Sequence, residues 1–116
     1  MVLLVNEIST MSLILGNVLP DLAAELESLL GSDGELELAA QVHSLALVDR
    51  CRCDSDSCAT FYCVPKPNGA WGPTHRNVLL NTMEGLTVVD VPDERIVCVE
   101  ILDRAEITAQ VLKLLP

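Results

Sequence analysis

Four of the chain's five cysteines fall within thirteen residues, Cys51-Arg52-Cys53-Asp54-Ser55-Asp56-Ser57-Cys58-Ala59-Thr60-Phe61-Tyr62-Cys63, around a polar Asp-Ser-Asp-Ser segment. Before it, Leu45, Leu47, Asp49, Cys51 and Cys53 alternate with Ala46, Val48, Arg50 and Arg52; after it, Cys58 to Val64 is rich in β-formers. Two such runs about a short polar turn specify an antiparallel hairpin. A four-residue loop sets Cys53 opposite Cys58, and Cys51 shares a face with Cys53 because side chains alternate with period two. Three thiols therefore converge on one patch.

The remaining elements follow from the same periodicities. Asn17 can cap a helix with Pro20 in its first turn, and Leu19, Leu22, Ala23, Leu26, Leu29 and Leu30 keep helical spacing up to Gly31. Ser32 and Glu35 form a capping-box pattern for a shorter helix to about His43, with Leu36, Ala39, Ala40 and His43 on one face. The alternation Glu35-Leu36-Glu37-Leu38 is a competing strand pattern. Strands are expected over 45–53, 58–64, 77–80, 86–91 and 95–102, with a breaker-rich loop from Pro65 to Pro73 and a turn at Pro92-Asp93-Glu94. In the last strand Val97, Val99 and Ile101 should face one side and Ile96, Cys98 and Glu100 the other. Asp103 and Glu106 then cap a helix over 104–115 that gathers Ile107, Val111, Leu114 and Leu115. Helices, consecutive strands, then a helix describe an α+β fold: two N-terminal helices, an antiparallel meander of four or five strands and a C-terminal helix. A chain of 116 residues is expected to form a single domain, with 1–16 a loose arm or early strand, 17–44 an acidic helical part and 45–116 the sheet with its final helix.

Charge narrows the partners. Before Arg50 there are eight acids and no Lys or Arg; from Arg50 onward nine acids face seven bases, for a net charge of −10. Such a field repels nucleic-acid backbones and anionic membrane surfaces, so neither is an expected partner. It would steer a basic protein toward the helical half, or serve only solubility; a second copy of the chain, as a homodimer, is another candidate partner. The apolar run Met1 to Val5 is far short of the roughly 18 residues that span a bilayer. The early segment has no Lys or Arg and is interrupted by Glu7, which argues against a secretory leader and makes the cytoplasm the expected compartment. Five cysteines cannot all pair within one chain, so reduced thiols are expected.

Three chemistries compete for the cysteine patch. Zinc would take Cys51, Cys53 and Cys58 with His75 as fourth ligand if the Pro–Gly loop folds back. Alternatively the thiols are small apolar fillers of a core poor in aromatic residues, which here are only Phe61, Tyr62 and Trp71. Third, His75 beside Arg76 could activate a cysteine nucleophile, although no oxyanion donors are in view. Cys63 and Cys98 have apolar neighbours and read as core. Asp54-Ser55-Asp56-Ser57 lacks the spacing of a calcium loop and reads as a solvated turn. Trp71, His75 and Arg76 make a candidate recognition loop, an aromatic and two basic groups among Gly and Pro; alternatively Trp71 folds down as a lid over the sheet.

Gly85-Leu86-Thr87-Val88-Val89-Asp90, Asp93 to Asp103 with its ending Glu100-Ile101-Leu102-Asp103, and Ala59-Thr60-Phe61-Tyr62 together resemble a short bacterial domain family of unknown function. The stretch 49–103 is also similar to hypothetical actinobacterial proteins with a Cys-Arg-Cys hairpin and a Gly-Pro-x-His-Arg-Asn loop. Cys98 departs from the small residue usual there, and the acidic helical half has no counterpart. The resemblance implies a small antiparallel sheet and carries no activity. The reading that follows is a non-catalytic interaction or accessory module with no assigned catalytic residue and no essential metal or other cofactor, the thiols being expected to pack. Its rivals are a zinc-binding module and a cysteine-dependent enzyme or redox sensor.

Overall fold

Two neighbouring rows of side chains organise the sheet. One runs Arg50, Phe61, Val99, Val89, Val78 and the other Asp49, Tyr62, Cys98, Asp90, Asn77, each crossing all five strands in register. Adjacent residues of a strand point to opposite faces, so the first row gives an apolar face and the second a polar one. The computed structural model describes residues 13–116. Its strands are β1 (Asp49–Arg50), β2 (Phe61–Tyr62), β3 (Arg76–Leu80), β4 (Leu86–Val91) and β5 (Cys98–Leu102), all paired antiparallel in the order β1-β2-β5-β4-β3. The meander proper is β3-β4-β5, and the short β1–β2 pair joins it on the free side of β5.

The helices are α1 (Leu15–Val18), α2 (Pro20–Ser32), α3 (Leu36–Gln41) and α4 (Ala105–Leu114). Leu19, Leu22, Ala23, Leu26 and Leu30 are buried as the helical spacing predicts, and they belong to one hydrophobic cluster with Phe61, Val99, Val89, Ile101, Ile107 and Val111. The α+β architecture with an antiparallel sheet and a C-terminal helix is thus the one expected. Val99 and Ile101 are fully buried, Ile107 and Val111 pack with them, and Leu114 lies partly buried at the cluster's edge. No helix among the described residues is long and apolar enough to cross a membrane.

Several local expectations are corrected. The strands expected over 45–53 and 58–64 contract to two residues each, because residues 58 and 59 take β5 as their partner: Cys58 bridges Leu102, and Ala59 donates its N–H to Ile101 at 2.8 Å. The β1–β2 ladder therefore ends where Cys51 N–H reaches the Thr60 carbonyl at 2.9 Å. Residues 45–47 pair instead with the segment before α1, Ile14 bridging Ala46. Residues 1–12 of the expected arm lie outside the described residues. Asn17 sits inside α1 and caps nothing; Leu19 precedes α2, with Pro20 at its first position, and the helix runs past Gly31 to Ser32. Ser32 and Glu35 form no capping box, since no side-chain cap bond is made at α3, and Leu36 is 70% exposed while Leu38, Ala39 and Val42 are buried. The sheet-ward face of α3 is thus rotated from the one expected. Asp103 takes a φ of 61°, leaving Arg104 at the start of α4 with no side-chain cap.

Two guanidinium groups tie helices to the sheet. Arg76 donates to both oxygens of Glu35 at the start of α3 (2.8 and 2.9 Å) and to both oxygens of Glu94 after β4 (2.7 and 2.8 Å). Arg104, before α4, grips Glu25 of α2 at 2.9 and 3.0 Å. The turn after β4 holds Asp93 and Glu94 at φ of 50° and 58°, a left-handed backbone costing roughly 1–2 kcal/mol per residue. Thr74 offsets this: its hydroxyl donates to Asp93 Oδ1 at 2.7 Å and accepts the Asp93 N–H at 3.1 Å. Gly85 opens β4 at φ 66°, where any Cβ would strike the Leu102 carbonyl oxygen, so only glycine fits that turn.

Val99 lies between Phe61 and Val89 with no exposure. Val99→Ala should cost about 2–3 kcal/mol in urea unfolding through the lost methyls and the cavity left behind. A change below about 0.5 kcal/mol would show that this row does not face the core.

Candidate functional site

The polar face of the sheet carries the chemistry. At its β1–β2 end the sulfurs of Cys51, Cys53 and Cys58 all lie within 4.8 Å of one another. Cys51 extends β1 and Cys58 is fixed by its bridge to Leu102, so two backbone anchors converge, with Cys53 two residues past Cys51 on the exposed turn between them. Ser55 and Ser57 order that turn through a 2.9 Å hydroxyl contact. All five cysteines are free thiols.

The three sulfurs are electrostatically unequal. The Ser55 backbone N–H, helped by the thiols of Cys51 and Cys58, stabilises the Cys53 thiolate and holds its pKa below the ordinary thiol value. Burial pushes Cys51 upward. The arrangement is an exposed, acidified sulfur backed by two hydrogen-bonding thiols, which suits entry of a metal ion or an electrophile. Packing in a core does not account for these residues, since Cys53 is exposed and Cys51 and Cys58 are half-buried. It does account for the other two. Burial pushes Cys63 up to about 12, and Cys98 is raised by burial reinforced by the negative charges of Asp90 and Glu100.

Beside the thiols a cavity of about 430 Å³ opens over the polar row, walled by Tyr62 and Trp71 and floored by Asp90 and Glu100; Cys51, Cys58 and His75 also line it. Trp71 comes down from the Pro–Gly loop to within 6.5 Å of the Tyr62 ring centroid at a 41° tilt. His75 joins its Nε2 to Asp90 Oδ1 at 2.9 Å, and the Asp90 side chain is only 5% exposed. Of the four residues expected to hold zinc, three come together; His75 shares their cavity but lies outside the group of mutually close ligand atoms. Of the three residues expected in a recognition loop, Trp71 and His75 line the cavity, whereas the charge of Arg76 is taken up by Glu35 and Glu94. His43 lies apart, exposed and 3.4 Å from Glu27.

Sequence reading passed over Asp90 and Glu100. The available signal was an acid closing the apolar run Leu86 to Val89, and another alternating with Val99 and Ile101. No family model matches the chain, and no curated protein or solved structure matches it.

The pKa of Glu100 is raised to about 7, first by its hydrogen bond to Asp90 and then by partial desolvation on the exposed face of β5. A carboxyl raised in the folded state binds its proton more tightly there than in the unfolded chain. Its stabilising contribution is full below the unfolded pKa near 4.5 and is lost as pH rises to about 7. Glu100→Gln should therefore raise the melting temperature at pH 8 and leave it little changed at pH 4.5. Equal shifts at both pH values would contradict this assignment.

Proposed function

We propose that the chain is a non-catalytic accessory module whose cysteine turn is closed by a structural zinc ion bound to Cys51, Cys53, Cys58 and His75. The observation that carries this reading is the mutual approach of three sulfurs, two from the strand end at Cys51 and Cys53 and one from Cys58 on its bridge to β5. Around zinc at about 2.3 Å, tetrahedral sulfurs stand about 3.8 Å apart, so sulfurs within 4.8 Å need movements of no more than roughly 1 Å. His75, which lines the same cavity, would be the fourth ligand. With Nε2 bound to Asp90, its Nδ1 is left for a metal, and a carboxylate behind a ligating imidazole fixes its tautomer and basicity. Its imidazole would have to move toward the sulfurs; it shares a cavity with Cys51 and Cys58 but lies outside the group of mutually close ligand atoms.

The fold gives such an ion work to do. The β1–β2 ladder is two residue pairs long, too short to be stable alone, and the turn beyond it is solvated. A metal joining Cys51 and Cys53 to Cys58 would supply the closure that backbone pairing does not. Four protein ligands leave no open coordination position, which makes the role structural.

Elemental analysis of protein purified without chelator should find one zinc per chain, and Cys53→Ser should abolish it. A strong chelator should lower the melting temperature by several degrees, with zinc affinity rising with pH as thiols deprotonate. His75→Ala should weaken zinc by about tenfold or more. Absence of stoichiometric zinc after reconstitution, with a melt indifferent to chelator, would overturn the reading.

A further inference from the structure

The cavity over the polar row has a lining that the zinc reading does not use. Its floor is two carboxylates on neighbouring strands, Asp90 of β4 and Glu100 of β5, and its walls are the Tyr62 and Trp71 rings. Among the described residues no Lys or Arg side chain lines it. One cation of the chain already meets a wall: the Lys66 ammonium sits 5.8 Å from the centroid of the Tyr62 ring. Aromatic faces with carboxylates behind them attract positive groups and repel anions. The chain's charge of −10 adds a field of the same sign. Asn77 supplies an amide at the cavity's edge, and Leu86 and Leu102 an apolar rim suited to an alkyl chain.

We infer that this cavity is a binding site for an organic cation, an alkylammonium or guanidinium group whose charge lies against Asp90 and Glu100 and whose alkyl part lies between Tyr62 and Trp71. The group has two chemical sources, a free amine or the basic side chain of a protein partner. At 430 Å³ the cavity holds either a small amine or one Lys or Arg side chain. The Asp90 side chain is buried and already bonded to His75, whereas Glu100 is exposed on β5, so Glu100 is the carboxylate that an entering cation meets first. The inference shares its cavity with the zinc reading, since Cys51, Cys58 and His75 also line it, but Tyr62, Trp71, Asp90 and Glu100, on which it depends, are not proposed ligands.

Trp71 is the only tryptophan, so its fluorescence reports occupancy. Zinc-loaded and chelator-treated protein would each be titrated at pH 8 and low salt with n-butylammonium, n-butylguanidinium and a short peptide with one central lysine. Butyrate and n-butanol are the controls. At least one cation should saturate with a dissociation constant near or below about 1 mM, and butyrate should give no response. Glu100→Gln should weaken it about fivefold or more, and Glu37→Gln, an exposed acid of α3, should leave it unchanged. Because Glu100→Gln is expected to stabilise the fold at pH 8, its loss of binding cannot be ascribed to unfolding. A tighter free amine identifies a metabolite, a tighter peptide a basic side chain, and either upholds the site. Non-saturating responses in both protein forms, equal binding of butanol, or equal weakening by Glu37→Gln and Glu100→Gln would overturn it.

Discussion

Everything in this fold hangs on β5, because it is the strand through which two otherwise separate pieces of sheet become one. On one side it continues the β3-β4 hairpin; on the other it accepts β2, and through β2 the chain that runs back to the helices. The pairing of Phe61 with Val99 places the largest buried side chain against the middle of the strand. The same register carries on to Ala59 and Cys58, beside Ile101 and Leu102. The strand that completes the core is also what positions a cysteine of the candidate site.

The two faces of that strand explain why core and site lie back to back. Val99 and Ile101 turn toward the helices and are fully buried, while Cys98 and Glu100 turn toward the cavity. A side-chain period of two makes these assignments inseparable: a register slip of one residue would expose the valines and bury the glutamate. The Arg76 and Arg104 clamps hold the helices over the apolar face, drawing three acids from the crowded helical half and its neighbouring turn into pairs. Much of the remaining acidity stays on the surface. On the opposite face the buried Asp90 lies beside Glu100, and their hydrogen bond raises the glutamate's pKa to about 7.

Legibility followed the length of each periodic run. The leucine stripe of α2, the five residues of β3, the six of β4 and the Ile107–Val111 face of α4 were all readable, since each repeats its period often enough to fix type and face. Helix caps were not: Asn17, Ser32 and Asp103 have the right chemistry, but the chain meets each of those turns with backbone angles that make another residue the boundary. The cysteine patch was readable as a hairpin pattern, yet the strand lengths were not, because the competitor for Cys58 and Ala59 lies more than forty residues away in β5. Asp90, Glu100 and Tyr62 were invisible as a group for the same reason. They become neighbours only through strand order, and the β2–β5 pairing skips over β3 and β4 in sequence.

The claim on which the account rests most heavily is that β5 brings Cys58 to the same point as Cys51 and Cys53, leaving three sulfurs for one ion. X-ray absorption at the zinc edge of the reconstituted protein measures that directly. Three sulfur neighbours at about 2.3 Å and one nitrogen at about 2.0 Å are expected, with the sulfur count falling to two in Cys58→Ser. A first shell of oxygen and nitrogen alone, or a sulfur count unchanged by loss of Cys58, would contradict it.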